Sequence, residues 1–198
     1  ILTTMNNIMD KKEQLVATAF NLFYKYGIHA VGINRVLEES GIAKKTLYNH
    51  FSSKEDLIAA TVEYCDQQYF SWLDLRLHEA TPGRDALYAM LDAFDDLFQG
   101  LDQSKPLFLG CYFINVSAEF SNPDHDIHKL CARNKEAMLR WITHHTSLVI
   151  TSRESIVQIS ETIAMLLEGA IIQAHVLGDL HAARKAKAVV KLLLDKSN

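Results

Sequence analysis

The chain has 198 residues, 48% of them hydrophobic and 22% charged, with three Pro, eight Gly and a formal net charge of −4. That length allows one sizeable core or a small module joined to a larger one, and the composition excludes disordered, collagen-like and disulfide-scaffold classes. The acidic balance argues at first sight against a nucleic-acid partner, but it is uneven: residues 1–58 carry seven Lys and Arg against six Asp and Glu, and the remaining residues carry 13 against 18.

The first predicted element runs from Asp10 to Tyr26. Leu15, Val16, Ala19, Phe20, Leu22, Phe23 and Tyr26 recur at the period of a helix with one buried face, with Asp10 as N-cap and Gly27 just past the end. A short helical segment between Gly32 and Gly41 carries Val36 and Leu37, and a second, Lys44 to Phe51, follows the Gly41-Ile42-Ala43 turn. Neither is long enough to be stable without neighbours. Ser53 with Asp56 three residues on resembles a capping box, and no Gly or Pro follows until Pro82, which predicts one helix of about 27 residues, about 40 Å long. Further helices are predicted over Arg84 to Gln99, Phe108 to Phe120, Asp124 to Val149, Ser155 to Leu177 and Leu180 to Lys196, with no strand and no repeat.

A supporting helix, a glycine turn and a second helix are the parts of a helix-turn-helix, here spanning Gly32 to Phe51. On a wheel of about 100° per residue, Leu47 and Phe51 share the buried side with Lys44 beside them. Tyr48, Lys45, Asn49 and Thr46 form the outward arc, a set able to donate to phosphates and base edges.

The wording of this segment is more specific than the pattern. Gly27, and then Gly41-Ile42-Ala43-Lys44-Lys45-Thr46-Leu47-Tyr48-Asn49-His50-Phe51-Ser52-Ser53-Lys54-Glu55-Asp56-Leu57, resembles the TetR family signature. In that signature a Gly-hydrophobic-Ser turn precedes a T-[LIV]-Y-x-H-F recognition helix and an S-K-E-x-L start to the fourth helix. The resemblance covers residues 10–65; the rest is similar in length and helical character.

The resemblance implies that Thr46, Tyr48 and His50 contact DNA, Tyr48 and His50 chiefly through phosphates, and that Lys54 is a phosphate contact. It further implies that Lys44, Lys45 and Asn49 set base preference and that Arg35 reaches the groove from the second helix. Gly32 and Ala43 stand where the family has capping hydroxyl residues, so two side-chain contacts are missing and backbone N–H donation remains. The implied fold is all-α: an N-terminal three-helix DNA-binding domain with the helix-turn-helix, residues 1–55, joined by a long fourth helix to a helical ligand-binding and dimerisation domain, residues 56–198. The implied function is a transcriptional regulator, a repressor released from a double-stranded DNA operator when an unknown small-molecule effector tilts the long helix.

The second half is less explicit. Tyr69, Phe70, Trp72, Phe94, Phe98, Phe108, Tyr112, Phe113 and Trp141 supply aromatics that either fill a core or line an effector pocket. Tyr69, Trp72, Phe94, Phe98, Tyr112, Phe113 and Trp141 are the candidates for ligand binding. Ile156, Ile159, Ile163, Leu166, Leu167, Ala170, Ile171 and Ala174 form one apolar face, with Ala182, Ala186, Val189, Val190 and Leu193 on the last helix. That face closes either a homodimer through the last two helices or a core within one chain.

Asp124, His125, His128 and Cys131 spread over about 120° of a helix, too wide for a shared metal face, so neither metal nor cofactor is expected. No GxSxG elbow, phosphate loop or HExxH motif points to catalysis. Cys65, Cys111 and Cys131 are too widely spaced for a CxxC pair, and no secretory pattern or membrane-length apolar run is apparent, so a reduced, cytoplasmic setting is expected. Two alternatives stay open: an all-helical small-molecule binding protein or enzyme without DNA binding, and an activator in place of a repressor.

Overall fold

The computed structural model describes residues 10–104 and 107–195, and among these the regular structure is helical throughout. In chain order the helices are α1 (Lys11–Tyr26), α2 (Ile33–Ser40), α3 (Lys44–His50), α4 (Lys54–Leu77), α5 (Arg84–Phe98), α6 (Tyr112–Glu119), α7 (Asp126–Ser147), α8 (Arg153–Leu177) and α9 (Ala182–Asp195). The all-α expectation therefore holds for the described residues, and each predicted helix has a counterpart.

The ends differ where a local signal outweighs periodicity. The start of α4 is capped by Ser53, whose Oγ accepts from the Asp56 N–H at 3.0 Å. The Asp56 carboxylate reaches back to Ser52, whose N–H donates to it at 3.0 Å, so the reciprocal half of the predicted capping box falls one residue earlier. α4 ends at Leu77, not near Ala80, because Pro82 cannot donate to a helical ladder and restricts Thr81 before it. α6 begins at Tyr112, not Phe108, because Gly110 sits at φ 92°, which no continuing helix can pass through.

By its contacts the chain divides into two units. The first comprises the residues up to Asp66 together with Asn115–Cys131, and the second comprises Gln67–Ile114 and the residues from Ala132 onward; the division falls inside α4, α6 and α7. In the first unit α1 packs on α2 and α3, burying Leu15, Ala19, Phe23, Val36, Leu47, Phe51 and Leu57. Full burial of each such aliphatic or aromatic side chain contributes about 1.5–3 kcal/mol, enough to hold two helices that would not form alone.

In the second unit α9 packs on α5 and α8. The core contains Leu87, Met90, Leu91, Phe94, Ile142, Ile163, Leu167, Ala186 and Val190. Of the two alternatives open for the apolar face of the last two helices, the core within one chain accounts for most of it. Ile159, Ile163, Leu167, Ala170, Ile171 and Ala174 of α8, with Ala182, Ala186 and Val190 of α9, are buried within their own chain and are not free to form a dimer face. A spacing of three and four specifies that a face is covered but not by what. The apolar residues left exposed on α8 are Val157, Met165, Ile172, Val176 and Leu177. Being apolar on both sides, α8 is also long and apolar enough by length and composition to cross a membrane, contrary to the expectation that no stretch would be. Glu161 and Glu168 interrupt it, and Glu168 is ion-paired to Lys135.

Candidate nucleic-acid interface

The turn between α2 and α3 is built by residues with local reasons to be there. Gly41 adopts φ 66°, ψ 13°, the left-handed conformation that costs other residues a Cβ clash. The Ser40 hydroxyl accepts from the Ile42 N–H at 3.3 Å, and Gln14 of α1 donates its side-chain amide to the Ser40 carbonyl at 3.0 Å. Val36, Ile42 and Leu47 point into the unit, so the orientation of α3 is fixed by its buried side.

The opposite side of α3 presents Lys45, Tyr48, Asn49 and His50, all exposed, with Lys44 exposed as well. The wheel placed Lys44 beside the buried arc, but it occupies the first turn of a seven-residue helix, where no preceding turn covers it. Thr46 is half-buried, and its N–H donates to the Ala43 carbonyl at 2.9 Å. The Lys44 ammonium lies 5.9 Å from the centre of the Tyr48 ring, a cation–π pair one helical turn apart. Neither Gly32 before α2 nor Ala43 before α3 makes a side-chain cap bond, and both are exposed.

Arg35 is exposed on α2 with its guanidinium 4.0 Å above the Tyr26 ring, and Lys25 lies 5.1 Å from the same ring. Hydrogen bonding from Lys25 and then its charge, with Arg35 adding to both, hold the Tyr26 phenol below its usual pKa. Sequence reasoning missed Tyr26 because it was assigned to the buried stripe of α1; at 43% exposure it is a ring under two cations.

Lys54 is placed differently from the rest. Half-buried, its ammonium donates to the Ile28 carbonyl at 2.7 Å and lies 5.8 Å from the Phe23 ring. Burial lowers its pKa, partly offset by the Glu119 carboxylate. Glu119, at the end of α6, accepts from the N–H groups of Ile28 and His29, both at 2.7 Å, and from the His29 ring. Burial opposes its ionisation, but those three donors outweigh it and hold the carboxyl below its ordinary value. Nothing local in the sequence signals this bond, which joins residues about 90 positions apart.

In the second unit Tyr69, Trp72, Phe94, Phe98 and Phe113 are brought together. Ring centres lie 6.1 Å apart for Tyr69 and Trp72, 5.5 Å for Trp72 and Phe94, 6.0 Å for Phe94 and Phe98, and 6.3 Å for Tyr69 and Phe113. The Trp72 indole donates to Asp102 at 2.6 Å. Tyr112 is buried at the start of α6, while Trp141 packs against His145 at 4.1 Å and takes no part in that ring series. Of the histidines weighed as metal ligands, His125 packs against Phe120 and His128 contacts the Phe120 carbonyl through Nδ1 at 2.7 Å.

An all-helical chain that holds a short basic and polar helix outward behind a glycine turn is a helix-turn-helix protein. Residues 15–61 match the family model described as bacterial regulatory proteins, tetR family. The chain is 31% identical over 90 residues to the HTH-type transcriptional activator FasR of Mycolicibacterium smegmatis, an alignment covering 46% of this chain and 41% of that protein. It is 29% identical over 83 residues to IcaR of Staphylococcus epidermidis, named as a negative transcriptional regulator of a biofilm operon, covering 42% and 44% respectively. It thus spans less than half the length of either curated relative. A solved TetR-family transcriptional regulator from Streptomyces coelicolor superposes with a TM-score of 0.84 at 26% identity, covering 94% of this chain and 95% of that one. Residues 15–61 are thus similar in sequence to the tetR family, and the described fold is similar to that of a TetR-family transcriptional regulator.

Proposed function

We propose that the protein is a sequence-specific, DNA-binding transcriptional regulator that acts as a homodimer and is released from its operator by a small-molecule effector. The observation that carries this reading is the exposed set Lys44, Lys45, Tyr48, Asn49 and His50 around a fully buried Leu47. Residues 1–55 are the DNA-binding part and residues 56–198 the effector-binding and dimerising part. Lys45 and Asn49 read base edges, Thr46, Tyr48 and His50 hold the backbone, and Arg35 enters from α2. Lys54 takes a phosphate with the donors of its ammonium that the Ile28 carbonyl does not use, and Gly32 and Ala43 offer backbone N–H groups. The ring series from Tyr69 to Phe98 with Phe113 is the effector region, with Tyr112 and Trp141 as further candidates outside the series. The exposed apolar residues of α8 and α9 are the dimer surface. Repression is the preferred sign, as in the negative regulator IcaR; the activator FasR supports the opposite sign as a second reading.

The experiment starts from duplexes selected out of a random library by the wild-type protein. A selected sequence is expected to be palindromic and to bind with an affinity that falls steeply with salt, by about 0.9 logarithmic units per logarithmic unit of salt for each neutralised phosphate. Lys45→Ala with Tyr48→Ala is expected to abolish the gel shift while leaving the unfolding midpoint within about 0.5 kcal/mol of wild type, since both side chains are exposed. Sequence-specific binding retained by the double variant would reject the assignment of α3.

A further inference from the structure

On the operator-binding reading proposed above, we infer that Tyr26 is a positioning residue for that binding: its ring holds the Arg35 guanidinium flat and unpaired, ready for a backbone phosphate. Tyr26 ends α1 and Arg35 lies in the first turn of α2, so two elements meet at this contact. The guanidinium carbon stands 4.0 Å from the centre of the ring, and both residues are exposed. Ordinary helix pairing does not account for the arrangement. Glu38 and Glu39 stand three and four residues after Arg35, the spacing of a helical ion pair, and both are exposed. Among the described residues, however, no carboxylate forms an ion pair with Arg35 or with Lys25. Helical side chains lean toward the amino end, which carries Arg35 away from the glutamates and toward the end of α1. The same ring carries the Lys25 ammonium at 5.1 Å, and the charges that act on its phenol are those of Lys25 and Arg35, with no carboxylate against them. The amino end of α2 adds the positive end of its dipole. Gly32 caps that end without a side chain, and no atom lies within 4 Å of a Cβ added there, so the space before the helix is open. Two cations and a helix end of like sign repel one another, and an anion relieves them.

The chemistry of the side chains selects the anion and gives the ring its part. The N–H donors of a guanidinium lie in one plane, in a fork that matches two oxygens of a phosphate, and stacking occupies a face of that plane and not its edge. An arginine free in solvent samples many rotamers and loses that freedom on binding; one already laid on a ring loses less. Tyr26 thus raises affinity without touching the duplex. The O6 and N7 acceptors of a guanine would satisfy the same fork. Two cations at one place match a full negative charge, which a phosphate carries and a base does not. Stacking needs the ring and not the hydroxyl.

Binding of the full chain is measured over a range of salt on a duplex selected by the wild type, with a scrambled duplex beside it. Arg35→Ala is expected to weaken binding about tenfold on both duplexes and to lower the logarithmic salt slope by about 0.9, one phosphate contact fewer. Tyr26→Leu is expected to weaken binding about two- to fivefold, the size of an exposed cation–π contact, and Tyr26→Phe to restore it to within about twofold of wild type. Added to Arg35→Ala, Tyr26→Leu is expected to cause no further loss, because the ring acts through the guanidinium; a general structural role would cost the same in both backgrounds. Should Tyr26→Leu lower the unfolding midpoint, the cycle is run with Tyr26→Gln, which keeps a long side chain without a π face. Equal losses in the two backgrounds, or no loss from Tyr26→Leu in a protein whose wild type binds, would overturn the pairing. A loss from Arg35→Ala confined to duplexes with one particular base pair, at an unchanged salt slope, would make the target a guanine and overturn the phosphate. A wild type that binds no duplex would remove the operator-binding reading, and this inference with it.

Discussion

Two glycines flank α2, and their backbones give them opposite expected responses to substitution. Gly41 stands at φ 66° with no atom within 4 Å of an added Cβ, so Gly41→Ala meets only conformational strain. That strain is about 1–2 kcal/mol, and a loss of that size is expected in the urea unfolding of the protein. Gly32 lies at φ −83°, ψ 160°, an ordinary extended conformation with open space around it. Gly32→Ser supplies the missing cap to α2 and is expected to gain a few tenths of a kcal/mol. A destabilised Gly32→Ser or a neutral Gly41→Ala would show that these turns are shaped by something other than local backbone preference. Both positions were legible in the sequence, since a glycine between two short apolar-patterned segments has few other uses. Tyr26 and Lys54 were not. Whether a ring at the edge of a helical stripe is covered, and whether a lysine finds a carbonyl 26 residues away, depends on packing that no local pattern encodes.

At the level of the element, α6 shows how a segment with weak local signals acquires a defined role. Its carboxyl end carries Glu119, a negative group where the helix dipole disfavours one, so the charge persists only because Ile28 and His29 donate to it. Removing the charge with Glu119→Gln is expected to cost about 1–2 kcal/mol at neutral pH, the range for a charge-assisted bond that is partly shielded from water. The sign of the pH dependence follows from the depressed pKa. Above the ordinary carboxyl value of 4.5 the stabilisation is complete, and it is lost as pH falls through the lower value held in the folded state. Urea midpoints of wild type and Glu119→Gln should therefore differ at pH 7 and converge in acid. A gap that persists at pH 3 would mean that the amide loses packing rather than charge. Helix identity was legible along the chain because periodicity is summed over many residues. Helix ends were legible where Gly27, Gly41 or Gly178 marks them, were carried too far toward Pro82 in α4, and were missed at α6 because Phe108 ahead of Gly110 fits the helical pattern as well as a loop.

For the whole molecule, the decisive feature is the surface of α8 that its own chain leaves uncovered. The buried stripe was read correctly as a stripe, but its partner was ambiguous, because residues covered within one subunit and residues covered by a second copy have the same spacing. Ile163 and Leu167 lie in the core, while Met165 is 67% and Ile172 43% exposed, with Val176 one turn further on. Successive large apolar side chains along one exposed helical face are uncommon on a lone soluble surface and suit an isologous contact, in which the same residues meet across a two-fold axis. Asp introduced at Met165 and Ile172 tests this at little risk to the fold, since both positions face outward in the single chain. If a second copy covers them, the substitution buries two unpaired carboxylates per subunit and their symmetry mates, a penalty larger than such an interface can absorb. The double variant is expected to keep its helical circular dichroism and to sediment near the 22.4 kDa mass of one chain, where the wild type sediments near twice that. It should also lose tight binding to a palindromic duplex while retaining weak, salt-sensitive binding to a half-site, because each subunit still carries its own α3. A wild type that is monomeric at micromolar concentration, or a double variant that remains dimeric, would remove α8 from the interface and with it the proposed means of spanning two half-sites.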